Sequence, residues 1–109
     1  MKIRFCKWTC LLVLMPPLLL LALENGDVDK GKEVYRRCAP CHGDSGEGNE
    51  AIGKMFGVKM PELGSKEVQS LDDSAIGKII LEGKGKMKPV KLSDQETENV
   101  IAFLRSLKK

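Results

Sequence analysis

Cys38-Ala39-Pro40-Cys41-His42 is the stretch of this chain on which its fold turns. Two thiols stand three positions apart, and an imidazole follows at once. His42 is the sole histidine among 109 residues, and Cys38 and Cys41 are the only cysteines beyond residue 10. The sequence around them offers little from which to build an interior. Tyr35, Phe56 and Phe103 are the only aromatics after residue 23, and a chain of this size is marginal as a self-sufficient core. Something other than side chains is expected to fill it.

The pattern C-x-x-C-H is the attachment signature of c-type haem. At a helix end, thiols at this spacing reach the two vinyl groups on adjacent pyrrole rings and form thioethers, and the next residue presents an imidazole to the iron. With one histidine, ligation by two histidines of the same chain is impossible. Two rival readings fail on context. A C-x-P-C thiol–disulfide motif belongs at the start of a helix within a βαβ unit, whereas this motif follows a predicted helix and no strand pattern is visible. A structural zinc site needs about four ligands; only Cys38, Cys41 and His42 are present, and the last two are adjacent. Two further stretches are decoys. Gly48 to Lys54 approximates a phosphate-binding loop but ends in Met55 rather than Ser or Thr, with no preceding strand. Gly43-Asp44-Ser45-Gly46 resembles a serine-protease nucleophile region in a chain too short for that fold. Both read as loops.

Outward from the motif, the pattern is helical throughout. Asp27 and Asp29 are N-cap candidates for a helix from about Lys30 to Cys38. Gly43 to Gly57 holds five glycines and reads as loop, with one short helical turn near Glu50 to Phe56. Pro61 biases Met60 away from helix, so Met60 to Gly64 is expected to be extended. A second helix is predicted from Asp73 to Glu82, ended by Gly83, and Gly83 to Leu92 reads as a lysine-rich loop. Ser93-Asp94-Gln95-Glu96 is a capping box, after which Val100, Ile101, Phe103, Leu104 and Leu107 recur at helical spacing. The fold class is all-α.

The formal charge of +3 is misleading. Lys2, Arg4 and Lys7 precede an uncharged run from Trp8 to Leu23, a secretory-leader pattern. This run is shorter than a comfortable membrane span of about 20 residues and is interrupted by Pro16-Pro17. Residues 1–23 are therefore read as a signal peptide or an uncleaved N-terminal anchor, with the apolar run 8–23 as the possible membrane anchor. Residues 24–109 are read as one domain. Without the first 23 residues, 15 basic and 15 acidic side chains remain, so nucleic-acid binding, which needs net positive charge along a face, is not expected. Export places the domain in the periplasm.

A haem iron held by His42 is either open on its second face or closed by another ligand. Met55 lies beside Phe56, where a structural role is expected. Met60 sits in an extended segment and remains an alternative. Met87 is favoured: it follows the second helix in a loop flanked by Gly85 and Pro89, from which the chain can pass round the ring edge. Its neighbours Lys84, Lys86, Lys88 and Lys91 argue against a simple gap-filling role in a core.

Taken together, CAPCHG, the GEGN loop, the MPEL segment, the IILEGKGKM stretch and the closing LSDQETENVIAFLRSL resemble the small bacterial monohaem class I cytochromes c over Asp27 to Leu107. The resemblance implies three main helices plus short helical turns packed around one covalently bound haem c. It implies that helices carrying Gly31/Tyr35 and Val100/Leu104 cross closely, and that the Pro61 carbonyl accepts a hydrogen bond from the His42 ring. One departure is that Lys88 separates Met87 from Pro89, which predicts a less constrained loop.

The expected function is electron transfer by a His42/Met87-ligated haem, as a periplasmic carrier rather than an enzyme. Donor and acceptor proteins would dock on Lys84, Lys86, Lys88 and Lys91. Two alternatives stay open: a haem-bearing redox subunit of a larger complex, and an open-site haem enzyme or sensor.

Overall fold

The computed structural model describes residues 26–109, and the expected leader or anchor lies outside them. Six helices follow in order: α1 (Val28–Tyr35), α2 (Ala39–His42), α3 (Glu50–Phe56), α4 (Lys66–Gln69), α5 (Asp73–Glu82) and α6 (Asp94–Ser106). Among the described residues there is no strand, only an isolated bridge between Lys84 and Met87. No helix among them is long and apolar enough to cross a membrane.

Local chemistry accounts for the boundaries. The Asp27 carboxylate accepts from Lys30 N and caps α1, leaving Asp29 in the first turn. The Asp72 carboxylate caps α5 through Ala75 N. Ser93 and Glu96 form the reciprocal capping box of α6, with Ser93 N donating to Glu96 Oε1 at 3.1 Å and Glu96 N to Ser93 Oγ at 3.1 Å. The expected first helix is too long by three residues. It ends at Tyr35, and the Cys-x-x-Cys-His residues form their own short helix, α2, with Pro40 in its first turn, where the missing N–H costs nothing. The turn α4 had no apolar periodicity to betray it; Ser65 caps it through Val68 N.

The last helix organises the rest. Of the seven buried core hydrophobics among the described residues, Val100, Ile101, Phe103 and Leu104 lie on α6, Ile76 and Ile80 on α5, and Tyr35 on α1. α1 crosses α6 so closely that a Cβ on Gly31 would lie 1.9 Å from the Asn99 carbonyl oxygen and 2.9 Å from the Phe103 Cβ. The Tyr35 and Phe103 rings meet at 4.8 Å between centroids, adding a tilted aromatic contact to the burial. Buried Asn99 is satisfied at the same crossing: its Oδ1 accepts from Asp27 N and Gln95 Nε2, both at 2.9 Å. The close helix crossing implied by the resemblance is therefore present, with Asn99 and Phe103 as the residues that touch Gly31.

At its other end α6 is fastened by Arg105. The guanidinium donates to the carbonyls of Gln69 (2.9 Å) and Leu71 (2.6 Å) and to the Asp73 carboxylate (2.8 and 3.0 Å). Gln69 Nε2 in turn donates to the carbonyls of Leu63 and Leu104. Two side chains thus tie the α4–α5 junction and the segment before it to one end of the core. Charge-assisted bonds of this kind are the stronger ones.

Candidate functional site

Helix α2 carries the paired thiols and the imidazole. A four-residue helix makes few internal bonds: Cys41 N and His42 N both donate to Cys38 O, and Gly43 N to Ala39 O. Its remaining carbonyls are satisfied from outside. Asn49 Nδ2 donates to Pro40 O (3.1 Å), Asn49 N to Cys41 O (2.9 Å), Gly48 N to His42 O (2.6 Å) and the Tyr35 hydroxyl to Gly43 O (2.5 Å). Four successive carbonyls therefore each have a donor beyond the helix, which answers the orphan-carbonyl problem of a helix end.

Cys38 and Cys41 are half-buried free thiols, and Cys38 packs against the hydrophobic core. Burial is the chief influence pushing the Cys38 thiol upward, reinforced by Cys41 and opposed by Arg37. Burial also pulls the His42 imidazole below its usual range, which favours the neutral form that binds metals. Among the described residues, His42 Nδ1 is the one buried side-chain nitrogen or oxygen without a hydrogen-bond partner. The bond to the Pro61 carbonyl implied by the resemblance is therefore not made. Pro61 is exposed, and its segment is moored two residues later, where Leu63 N donates to Gly46 O at 2.8 Å and Leu63 O accepts from Gln69. A buried polar atom without a partner costs about 1–3 kcal/mol. A partly buried, neutral imidazole directly behind two free thiols suits covalent haem attachment and iron ligation.

Met87 reaches the same core from the other end of the chain. It is half-buried and packs against the hydrophobic cluster, as Cys38 does. The expected looseness of its loop is not observed. Lys84 N donates to Met87 O at 3.0 Å and Met87 N to Lys84 O at 2.9 Å, closing a two-residue turn with Gly85 at its first corner at φ +56°, the backbone of a II′ turn. Beyond Pro89, Val90 N donates to Ile80 O (2.8 Å) and Arg37 Nη1 to Lys91 O (3.3 Å), so with the turn before it the chain is pinned on both sides of this proline. The inserted Lys88 is absorbed because hydrogen bonds, rather than a Met-Pro pair, hold the loop. Lys84, Lys86, Lys88 and Lys91 are all exposed, and none is in an ion pair among the described residues.

The other methionines separate cleanly. Met55 is 74% exposed, so its expected structural role is wrong: it lies on the solvent side of α3. Met60 is half-buried beside Gly48 and Gly53, in a groove lined by none of Cys38, Cys41, His42 or Met87. Sequence reasoning passed over Asn49, whose position just before the short helix at Glu50 is an N-cap signal. It also passed over Gln69 and Arg105, whose partners are remote in sequence and leave no local signal.

Tyr35 ties the crossing to the site. Burial, helped by Cys38 and Glu47, pushes its phenol up to about 12, against about 10 in an unfolded chain. A folded value above the unfolded one makes the stabilisation complete below pH 10, and it is lost as pH rises toward 12. Across that window the protein is expected to lose stability that its Tyr35→Phe variant keeps, read from denaturant melts at stepped pH. Parallel losses in the two proteins would show that the phenol is not held in this way.

These features define a small all-helical domain arranged for a covalently attached, iron-bearing ring. The chain belongs to the cytochrome c family, whose model, described as Cytochrome c, matches residues 28–108. No curated protein and no solved structure matches it. Membership brings covalently bound haem c and haem-based electron transfer.

Proposed function

We propose that this chain is an exported, periplasmic electron carrier with one haem c, attached at Cys38 and Cys41 and ligated by His42 and Met87. The observation that carries this reading is the burial of His42, with Nδ1 lacking a protein partner, directly behind the paired thiols. Haem c supplies a one-electron iron couple when bound. The protein's part is to fix the ring and close its two faces. His42 serves one face as a neutral imidazole held at the end of α2. Met87 serves the other from its hydrogen-bonded turn on the core, and its thioether favours ferrous iron and so raises the potential. Met87 is preferred to Met60 because it shares the core with Cys38, whereas Met60 faces the α3 groove.

Ferric and ferrous absorption spectra of periplasmically matured protein test the assignment. The expected result is thioether-attached haem with a methionine-to-iron charge-transfer band in the ferric state; unmodified apoprotein, or a spectrum without that band, would refute it. The exposed lysines 84, 86, 88 and 91 support docking of acidic redox partners around the Met87 loop, because like charges clustered on one loop steer an oppositely charged partner. The second-order rate with an acidic partner is expected to fall at least tenfold between low and near-physiological salt, within the usual range for steered association. A flat ionic-strength profile would remove the lysines from that role.

A further inference from the structure

We propose that Asn49 is a positioning residue of the haem site, holding α2, and through it the His42 ring, in one orientation. This rests on His42 serving as an axial ligand. Helix α2 is too short to define itself: helices of this length are unstable alone because nucleation fixes several residues for one bond. Its carbonyl end is instead gripped by one residue in two ways. The Asn49 backbone N–H donates to Cys41 O and the side-chain Nδ2 to Pro40 O, while the adjacent Gly48 N–H donates to His42 O. The other end of the same side chain is fixed as well, since Asn49 Oδ1 accepts from Ala51 N (3.1 Å) and Ile52 N (3.2 Å) and caps α3. Both halves of the amide are thus committed, and α2 is indexed against α3 through a single planar group. The backbone of α2 carries the His42 side chain, so holding its carbonyl end fixes the position from which the ring extends.

The two roles of the amide separate by substitution. Asn49→Ser keeps an oxygen able to cap α3 and removes the donor to Pro40 O; Asn49→Ala removes both. In full-length, haem-loaded protein, Asn49→Ser is expected to leave thioether attachment and the exchange of the Val100 and Leu104 amides unchanged. It should speed hydrogen exchange at Cys41 and His42 about fivefold, as loss of one net hydrogen bond implies. The haem-methyl resonances of the ferric protein, which respond to the plane of the axial imidazole, should move with it. Asn49→Ala should add faster exchange at Ala51 and Ile52. If Asn49→Ser retains wild-type exchange at Cys41 and His42 and wild-type methyl shifts, Asn49 is only a helix cap and the proposal is wrong. If wild-type protein carries haem without a histidine ligand, the underlying reading fails instead, and the two failures are distinct.

Discussion

Gly31→Ala is expected to lower the thermal midpoint by about 12 °C or more, a loss of roughly 3 kcal/mol for a domain of this size. In an ordinary helix interior the change would stabilise, since alanine is favoured over glycine by about 1 kcal/mol. Here the added methyl would sit 1.9 Å from the carbonyl oxygen of Asn99, which is backbone, with the Phe103 Cβ at 2.9 Å. Neither neighbour can rotate away, so α1 must lift from α6. That movement strains the Asp27 N to Asn99 Oδ1 bond and the Tyr35–Phe103 contact together. Three kcal/mol is a large share of the stability of a small domain. Gly77 supplies the contrast. A Cβ there would find only ordinary contacts, with Thr97 at 3.6 Å and Ile101 at 3.7 Å, and Gly77→Ala is expected to hold or raise the midpoint. Circular-dichroism melts of the two variants decide it: a Gly31→Ala protein that melts with the wild type would show that the crossing is not this tight.

Met87→Ala is the second large effect. The variant is expected to lose the methionine-to-iron charge-transfer band, to bind carbon monoxide readily when ferrous, and to show a reduction potential lower by on the order of 0.1–0.2 V, within the span of about 0.8 V that axial ligands command. The hydrogen bonds that close the turn are made by backbone groups of Lys84 and Met87. They survive truncation of the side chain, so the chemical consequence is not masked by collapse of the loop. Met60→Ala, altered on the α3 side, is expected to leave band and potential in place. If the two variants exchange these phenotypes, the ligand is Met60.

How far the sequence could be read depends on the range of the interactions. Helices α5 and α6 follow from capping residues and apolar spacing within a few positions of one another, and α3 from its flanking glycines. These local signals survive unaltered because packing reinforces them. The end of α1 differs from the expectation because Cys38 can extend an apolar pattern, yet after Tyr35 the chain tightens into turns in which Arg36, Arg37 and Cys38 each donate to the carbonyl three residues back. The looseness expected of the Met87 loop was wrong for a similar reason: Val90 N to Ile80 O and Arg37 to Lys91 O join residues whose pairing no local spacing announces. At the site, residue types and spacing marked Cys38, Cys41, His42 and Met87 as the candidates, and the structure packs Cys38 and Met87 against one core. The residues that hold the site, Tyr35, Gly48 and Asn49, act through carbonyls, which a sequence does not display. The Pro61 contact came from resemblance alone and is not formed.

Four of the seven core side chains belong to the last helix, and its contact with α1 bridges residues 72 positions apart. Helix α1 accordingly has nothing to settle against until α6 is in place, and the segments between them have little core of their own. Non-local closure of this kind slows folding. The consequence is temporal: until α6 docks, Cys38 lacks the core against which it packs, and its sulfur stays open to covalent modification.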